Sequence, residues 1–110
     1  MFVTSDGSPY ARFRRALGTG NLNLIRAAAA ELPRVSLADA LEVCLLMRDH
    51  DQGRFEKAAV RWLGRFALEA RGVTIAAIEA AAGALRALPQ HPEASMEILS
   101  TLCLEHGVDH

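Results

Sequence analysis

The segment from Arg54 to Arg71 constrains the fold more than any other part of the chain. At about 100° per residue, its apolar side chains fall on one face of a helix. These are Phe55, Ala59, Trp62, Leu63, Phe66 and Ala70. Four basic side chains share another face, within an arc of about 80°. We call this set the basic ridge: Arg54, Lys57, Arg61 and Arg65. The pattern predicts a helix that buries its aromatic residues and exposes its basic ones.

Helix start and stop signals divide the whole chain into six such segments. Ser8-Pro9 predicts the start of a first helix that ends at Gly18, and Asn21 caps a second that Pro33 stops. Ser36, Asp51 and Thr74 are predicted caps for the next three. The last helix is expected to begin near Pro92. The predicted ranges for the second to the sixth helix are 22–32, 37–48, 52–71, 75–88 and 92–106.

These segments predict an all-α fold, a compact bundle of about six short antiparallel helices. Connections of about two to five residues favour antiparallel neighbours. The alternative is a short open array of helical hairpins of the HEAT or armadillo type, because three of the helices begin about 30 to 40 residues apart. A length of 110 residues fits one domain. We predict that this domain spans residues 9–107, between flexible ends at 1–8 and 108–110.

The fifth helix carries a second unusual surface. Its predicted core face contains Ile75, Ile78, Ala81, Ala82, Leu85 and Leu88. On another side lies what we call the small-residue strip: Ala76, Ala80, Gly83 and Ala87. Small side chains allow helices to approach closely, so the strip is predicted to receive another helix. That helix is either the sixth helix of the same chain or a helix of a second subunit; the remaining alternative is an exposed alanine-rich surface without a function.

No motif in the sequence points to catalysis, to a cofactor or to a metal. The chain lacks a nucleophile elbow and a phosphate-binding glycine loop. The four histidines are not arranged in a zinc-binding motif, and the two cysteines, Cys44 and Cys103, lie in apolar helical runs that predict buried, reduced thiols. We therefore expect no enzyme activity, no cofactor, no metal and no membrane association. Without a secretory leader, the protein is expected in the cytoplasm.

The charges suggest how a partner would bind. Between Arg12 and Arg71 lie 11 basic and 7 acidic side chains, whereas from Gly72 onward there are 1 basic and 5 acidic. The leading hypothesis is a small interaction or adaptor protein that binds a protein partner or a second copy of itself, as in a homodimer. The alternative is a nucleic-acid-binding accessory protein that uses the basic ridge, extended by Arg12, Arg14 and Arg15. A third interpretation is that the ridge is only a solvated face, partly neutralised by Glu56 and by the acidic helices near the C-terminus. An isoelectric point near 6.4 makes nucleic acid the less favoured partner.

Overall fold

A computed structural model describes residues 7–108, and it confirms an all-α helical bundle. Six helices lie in this range: α1 (Pro9–Thr19), α2 (Leu22–Ala29), α3 (Leu37–Met47), α4 (Gln52–Glu69), α5 (Ile75–Ala87) and α6 (Pro92–Glu105). The parts of the predicted flexible ends at 1–6 and 109–110 lie outside the described residues. The chain divides into two compact units, Met1–Val35 and Ser36–His110, and the domain predicted over 9–107 spans both.

The first unit is a helical hairpin made of α1 and α2, which pack against each other. The Ser8 hydroxyl accepts a hydrogen bond from the Ala11 amide (3.0 Å) and so caps α1, as predicted. The helix continues past Gly18, however, and Gly20 is the residue with a left-handed backbone, at φ 69°. The helix therefore ends at Thr19, one residue later than predicted, because the left-handed residue that terminates it is Gly20 and not Gly18.

The second unit consists of α3, α4, α5 and α6. Consecutive helices in this unit pack against each other, and α6 also packs against α3, so the four helices close into a ring. The Trp62 indole N–H donates to the Leu37 carbonyl at 2.8 Å. Trp62 lies ten residues into α4 and Leu37 begins α3, while Met47 and Gln52 flank the connection. The two helices therefore run antiparallel, as predicted.

The core of the second unit contains the aromatic residues of α4. Phe55, Trp62 and Phe66 are buried, and the rings of Trp62 and Phe66 stack with centroids 5.6 Å apart. This confirms the apolar face predicted for the segment from Arg54 to Arg71. Cys44 and Cys103 are also buried, as predicted, and neither forms a disulfide.

Two predictions about buried residues are wrong. Ile75 was assigned to the core face of α5, but its side chain is 78% exposed because it occupies the first position of the helix, beyond the packed turns. Ala81, Leu85 and Leu88 are buried, as predicted, and Ala77 and Ala84, which were not predicted, are buried with them. Val108 was assigned to the flexible C-terminal end, yet it is buried in the core. The Val108 amide donates to the Cys103 carbonyl at 2.9 Å, and this hydrogen bond satisfies a carbonyl at the end of α6. The chain can turn back in this way because Gly107 has a left-handed backbone.

Candidate interaction surface

The outer face of α4 is fixed by how the helix is held on its inner side. Asp51 caps the helix, because its carboxylate accepts hydrogen bonds from the Gly53 and Arg54 amides at 3.0 and 3.2 Å. The Trp62 hydrogen bond to Leu37 then fixes the rotation of α4 about its axis. Residues on the side of α4 opposite Trp62 and Phe66 therefore face solvent.

The structure places the basic ridge on this outer side but divides it into two classes. Arg65 pairs with Glu69 at 2.8 Å, and its side chain is only 28% exposed. Arg54 lies 3.5 Å from the carboxylate of Asp51. Within residues 7–108, no carboxylate lies within ion-pair distance of Lys57 or Arg61, and both side chains are exposed. Lys57 and Arg61 are thus the two ridge cations that keep their charge available to a partner.

Two large apolar side chains share this outer face, and neither was predicted from the sequence to lie on an interaction surface. Leu68 is 87% exposed and Val60 is 63% exposed. By helical geometry, Leu68 projects between Lys57 and Arg61, about 20° from each. Its position about 160° from Phe66 was visible in the helical pattern, and this was the signal that could have identified it. The surface is therefore both basic and apolar, which is a different chemistry from a purely basic ridge.

The small-residue strip on α5 is partly open. Ala76 and Ala80 are exposed, whereas Gly83 and Ala87 are half-buried. A methyl group built at Gly83 would meet no atom within 4 Å. The structure therefore leaves room at this point of the strip. That the sixth helix or a second subunit packs against the strip remains a prediction.

Arg12, the first of the three arginines suggested as an extension of the ridge, forms contacts within its own unit. The Arg12 guanidinium lies 2.6 Å from the Glu31 carboxylate and donates to the Gly7 carbonyl. Arg14 and Arg15 are exposed and each has an interaction of its own. The charge of Arg12 is thus largely compensated by Glu31, and the proposed extension remains a prediction.

The thiols are held in their protonated form. Burial raises the pKa of the Cys44 thiol from 9.0 to about 11. The pKa of the Cys103 thiol is also raised, mainly by burial and to a smaller extent by the negative charge of Glu69. A thiol of this kind is a poor nucleophile at neutral pH, since the thiolate is the reactive form. Among residues 7–108, no cluster of three or more His, Cys, Asp or Glu side chains is arranged to hold a metal ion.

The described helices are also short of what a membrane requires: none between residues 7 and 108 is long and apolar enough to cross a bilayer. Comparisons with known protein families, with curated proteins and with solved structures found no match for this chain. The outer face of α4 must therefore be interpreted from its own residues.

Proposed function

We propose that this chain is a small, non-catalytic protein-interaction domain that binds its partner through the outer face of α4. The observation that carries the proposal is the exposure of Leu68 between two cations, Lys57 and Arg61, that form no ion pair within residues 7–108. Large exposed apolar side chains next to uncompensated charge are typical of a surface that becomes covered.

The chemistry of this face favours a protein over a nucleic acid. Protein interfaces combine an apolar centre with a polar rim, and arginine is enriched in them. Phosphate backbones are instead bound by several cations at once, and no apolar residue is needed between those cations. On α4, two of the four ridge cations, Arg54 and Arg65, already lie close to carboxylates of the chain itself. If nucleic acid were the partner, only Lys57 and Arg61 among the ridge cations could bind phosphate groups without first leaving a carboxylate of the chain.

The proposal is tested by capture of partners from a lysate of the native host with four baits. The wild-type chain, Leu68→Asp and the double variant Lys57→Gln/Arg61→Gln address the proposed face. The matched control is Ile75→Asp, because Ile75, at 78% exposure, is a similarly exposed apolar residue on a different helix. We expect both α4 variants to capture less of a common protein than the wild type and the control do. Capture that is identical for all four baits would contradict the proposal.

Labelled duplex and single-stranded oligonucleotides test the alternative directly. Binding by counterion release weakens steeply as salt increases, so it is recognised by its salt dependence. We expect no salt-sensitive binding of either probe by the wild-type chain. Binding that Lys57→Gln/Arg61→Gln abolishes and Leu68→Asp preserves would assign the face to nucleic acid instead.

A further inference from the structure

The outer face of α6 is the acidic counterpart of the outer face of α4. Helix α6 contains no lysine and no arginine, and its exposed side includes Glu93 and Glu97. Leu104 is 67% exposed on the same side. By helical geometry, Leu104 projects between the two glutamates, about 20° from each. An exposed leucine thus lies between two like charges on both helices, with opposite signs of charge.

The two sets of residues also have the same spacing. We call Lys57, Arg61 and Leu68 the α4 triad, and Glu93, Glu97 and Leu104 the α6 triad. In each triad, the second charge follows the first by four residues and the leucine follows the second by seven. If the two helices lie side by side in the same direction, each cation meets a carboxylate while the two leucines meet each other. An antiparallel arrangement would instead place the leucine of each triad opposite a charged residue of the other triad.

Short connections make α4 antiparallel to α5, and α5 antiparallel to α6, so α4 and α6 run in the same general direction. Two hydrogen bonds also set their relative level. The Arg71 amide donates to the His106 carbonyl at 2.8 Å, and the His106 Nδ1–H donates to the Arg71 carbonyl at 2.9 Å. These bonds join the carboxyl ends of α4 and α6, which end at Glu69 and Glu105. Counted back from those ends, the members of the two triads stand at identical positions. They are therefore level to within about one helical turn.

The two triads face away from each other. In the ring of four helices, α4 packs between α3 and α5, and α6 packs between α5 and α3, so α4 and α6 occupy opposite corners. Their outer faces consequently point in roughly opposite directions. A second copy, displaced along the line from α6 to α4 without being turned, places its α6 triad against the α4 triad of the first, parallel and in register.

We propose that the partner of the α4 face is a second copy of this chain, bound through the outer face of α6 in a head-to-tail contact. The inference rests on the proposed interaction function of α4 and names its partner. Because each copy keeps one free face of each kind, the contact is heterologous and copies add in a row. One helix pair is smaller than a standard interface, so the dissociation constant is expected to be on the order of 100 µM.

Sedimentation velocity of the full chain measures the association. At about 50 mM salt, the average mass should rise above the monomer mass of 11.9 kDa as the concentration approaches about 1 mM, and the rise should weaken at about 500 mM salt. A wild-type chain that remains monomeric under all these conditions overturns the inference. The capture experiment with Leu68→Asp would still decide the proposed function in that case.

Charge reversal at the two faces identifies the contact. Arg61→Glu and Glu97→Lys should each weaken self-association about tenfold or more, since each brings like charges together. Both variants should retain their helicity, because each creates an opposite-charge pair with a neighbour one turn away, Lys57 or Glu93. The matched controls are Arg26→Glu on α2 and Glu79→Lys on α5, which make the same charge changes elsewhere and should associate like the wild type.

Mixing the two variants gives the decisive result. A chain with Arg61→Glu keeps its acidic α6 face, and a chain with Glu97→Lys keeps its basic α4 face, so an equimolar mixture restores the original contact. The mixture should therefore form complexes of at least twice the 11.9 kDa monomer mass at concentrations where each variant alone is monomeric. A mixture that stays monomeric, or single variants that associate like the wild type, would overturn the inference. A gain in mass that requires an added oligonucleotide would overturn it as well.

Discussion

The hydrogen bond between the Trp62 indole and the Leu37 carbonyl is the contact whose removal best tests the core of the second unit. Trp62 is only 2% exposed and joins the centre of α4 to the start of α3. Replacing Trp62 with Phe keeps an aromatic ring beside Phe66 but removes the N–H donor. The lost hydrogen bond costs about 0.5–1.5 kcal/mol, and the vacated volume of the indole adds about 1 kcal/mol. We expect Trp62→Phe to lower the free energy of unfolding by about 2 kcal/mol.

Truncation at the same position should have a larger effect. Trp62→Ala removes the whole ring, and buried aromatic residues cost about 3–5 kcal/mol on truncation to alanine, in addition to the hydrogen bond. The second unit comprises 75 residues, Ser36–His110, for which a total stability of about 4–11 kcal/mol is ordinary. Trp62→Phe should therefore remain folded, whereas Trp62→Ala should lose most of the helicity of this unit near room temperature.

Urea unfolding followed by far-ultraviolet circular dichroism measures both variants. Tryptophan fluorescence is unsuitable, because Trp62 is the single tryptophan of the chain. With a urea dependence of about 1 kcal/mol/M, the midpoint of Trp62→Phe should fall by about 2 M. Leu68→Ala is the matched control, since an 87% exposed leucine should change the stability by less than about 0.5 kcal/mol. A Trp62→Phe midpoint equal to that of the wild type would refute the role assigned to this hydrogen bond.

Three further perturbations test other parts of the second unit, each by urea or thermal unfolding. Asp51→Ala removes the carboxylate that caps α4 and should cost about 1 kcal/mol, whereas Asp51→Asn should restore most of it. Val108→Ala removes two buried methyl groups and should cost about 1–2 kcal/mol; an unchanged midpoint would place Val108 outside the core. Burial raises the Cys44 pKa from 9.0 to about 11, so above pH 9 the unfolded chain loses a proton that the folded chain keeps. The free energy of unfolding should accordingly fall between about pH 9 and 11, and Cys44→Ala should fall less steeply.

The number of helices was predictable from the sequence because capping is local chemistry. Ser8, Asn21, Ser36, Asp51 and Thr74 each accept an amide hydrogen bond at the start of a helix, as their side chains predict. The ends of the helices were less predictable. The second helix ends at Ala29, well before Pro33, since a proline limits how far a helix can extend but does not determine where it stops.

The buried face of α5 was only partly predictable from the sequence: Ala81, Leu85 and Leu88 are buried as predicted, whereas Ala77 and Ala84 are buried without having been predicted. Alanine is compatible with both a buried and an exposed position, so a helix with seven alanines among thirteen residues has no single apolar stripe. The predicted face also included Ile75, whose place at the start of the helix leaves it exposed. Val108 was a different case, because an apolar residue after a glycine is the usual hydrophobic partner of a glycine-terminated helix. The sequence Gly107-Val108 therefore predicts a buried Val108.

The candidate surface was only half predictable. The pattern of Arg54, Lys57, Arg61 and Arg65 identifies a basic side of α4, but it does not tell which cations have partners. That depends on Asp51 and Glu69, whose side chains turn toward Arg54 and Arg65. The common direction of α4 and α6 follows from the predicted antiparallel neighbours, but their level could not be predicted, because it depends on the ring of helices and on the bonds at Arg71 and His106.

The basic and acidic residues that are separated along the sequence also lie on different sides of the folded second unit. The basic residues Lys57 and Arg61 and the acidic residues Glu93 and Glu97 lie on opposite corners of one four-helix unit, while the formal net charge is only −1. Under the proposed head-to-tail contact, two copies would repel each other little as whole molecules and would attract each other in one relative orientation. Association driven by exposed leucines alone would not weaken as salt is added, because salts that act on apolar surfaces strengthen burial. Association through the two triads must weaken with salt, since screening reduces the attraction between exposed charges. The sign of the salt dependence therefore distinguishes an oriented electrostatic contact from nonspecific apolar aggregation of Leu68 and Leu104.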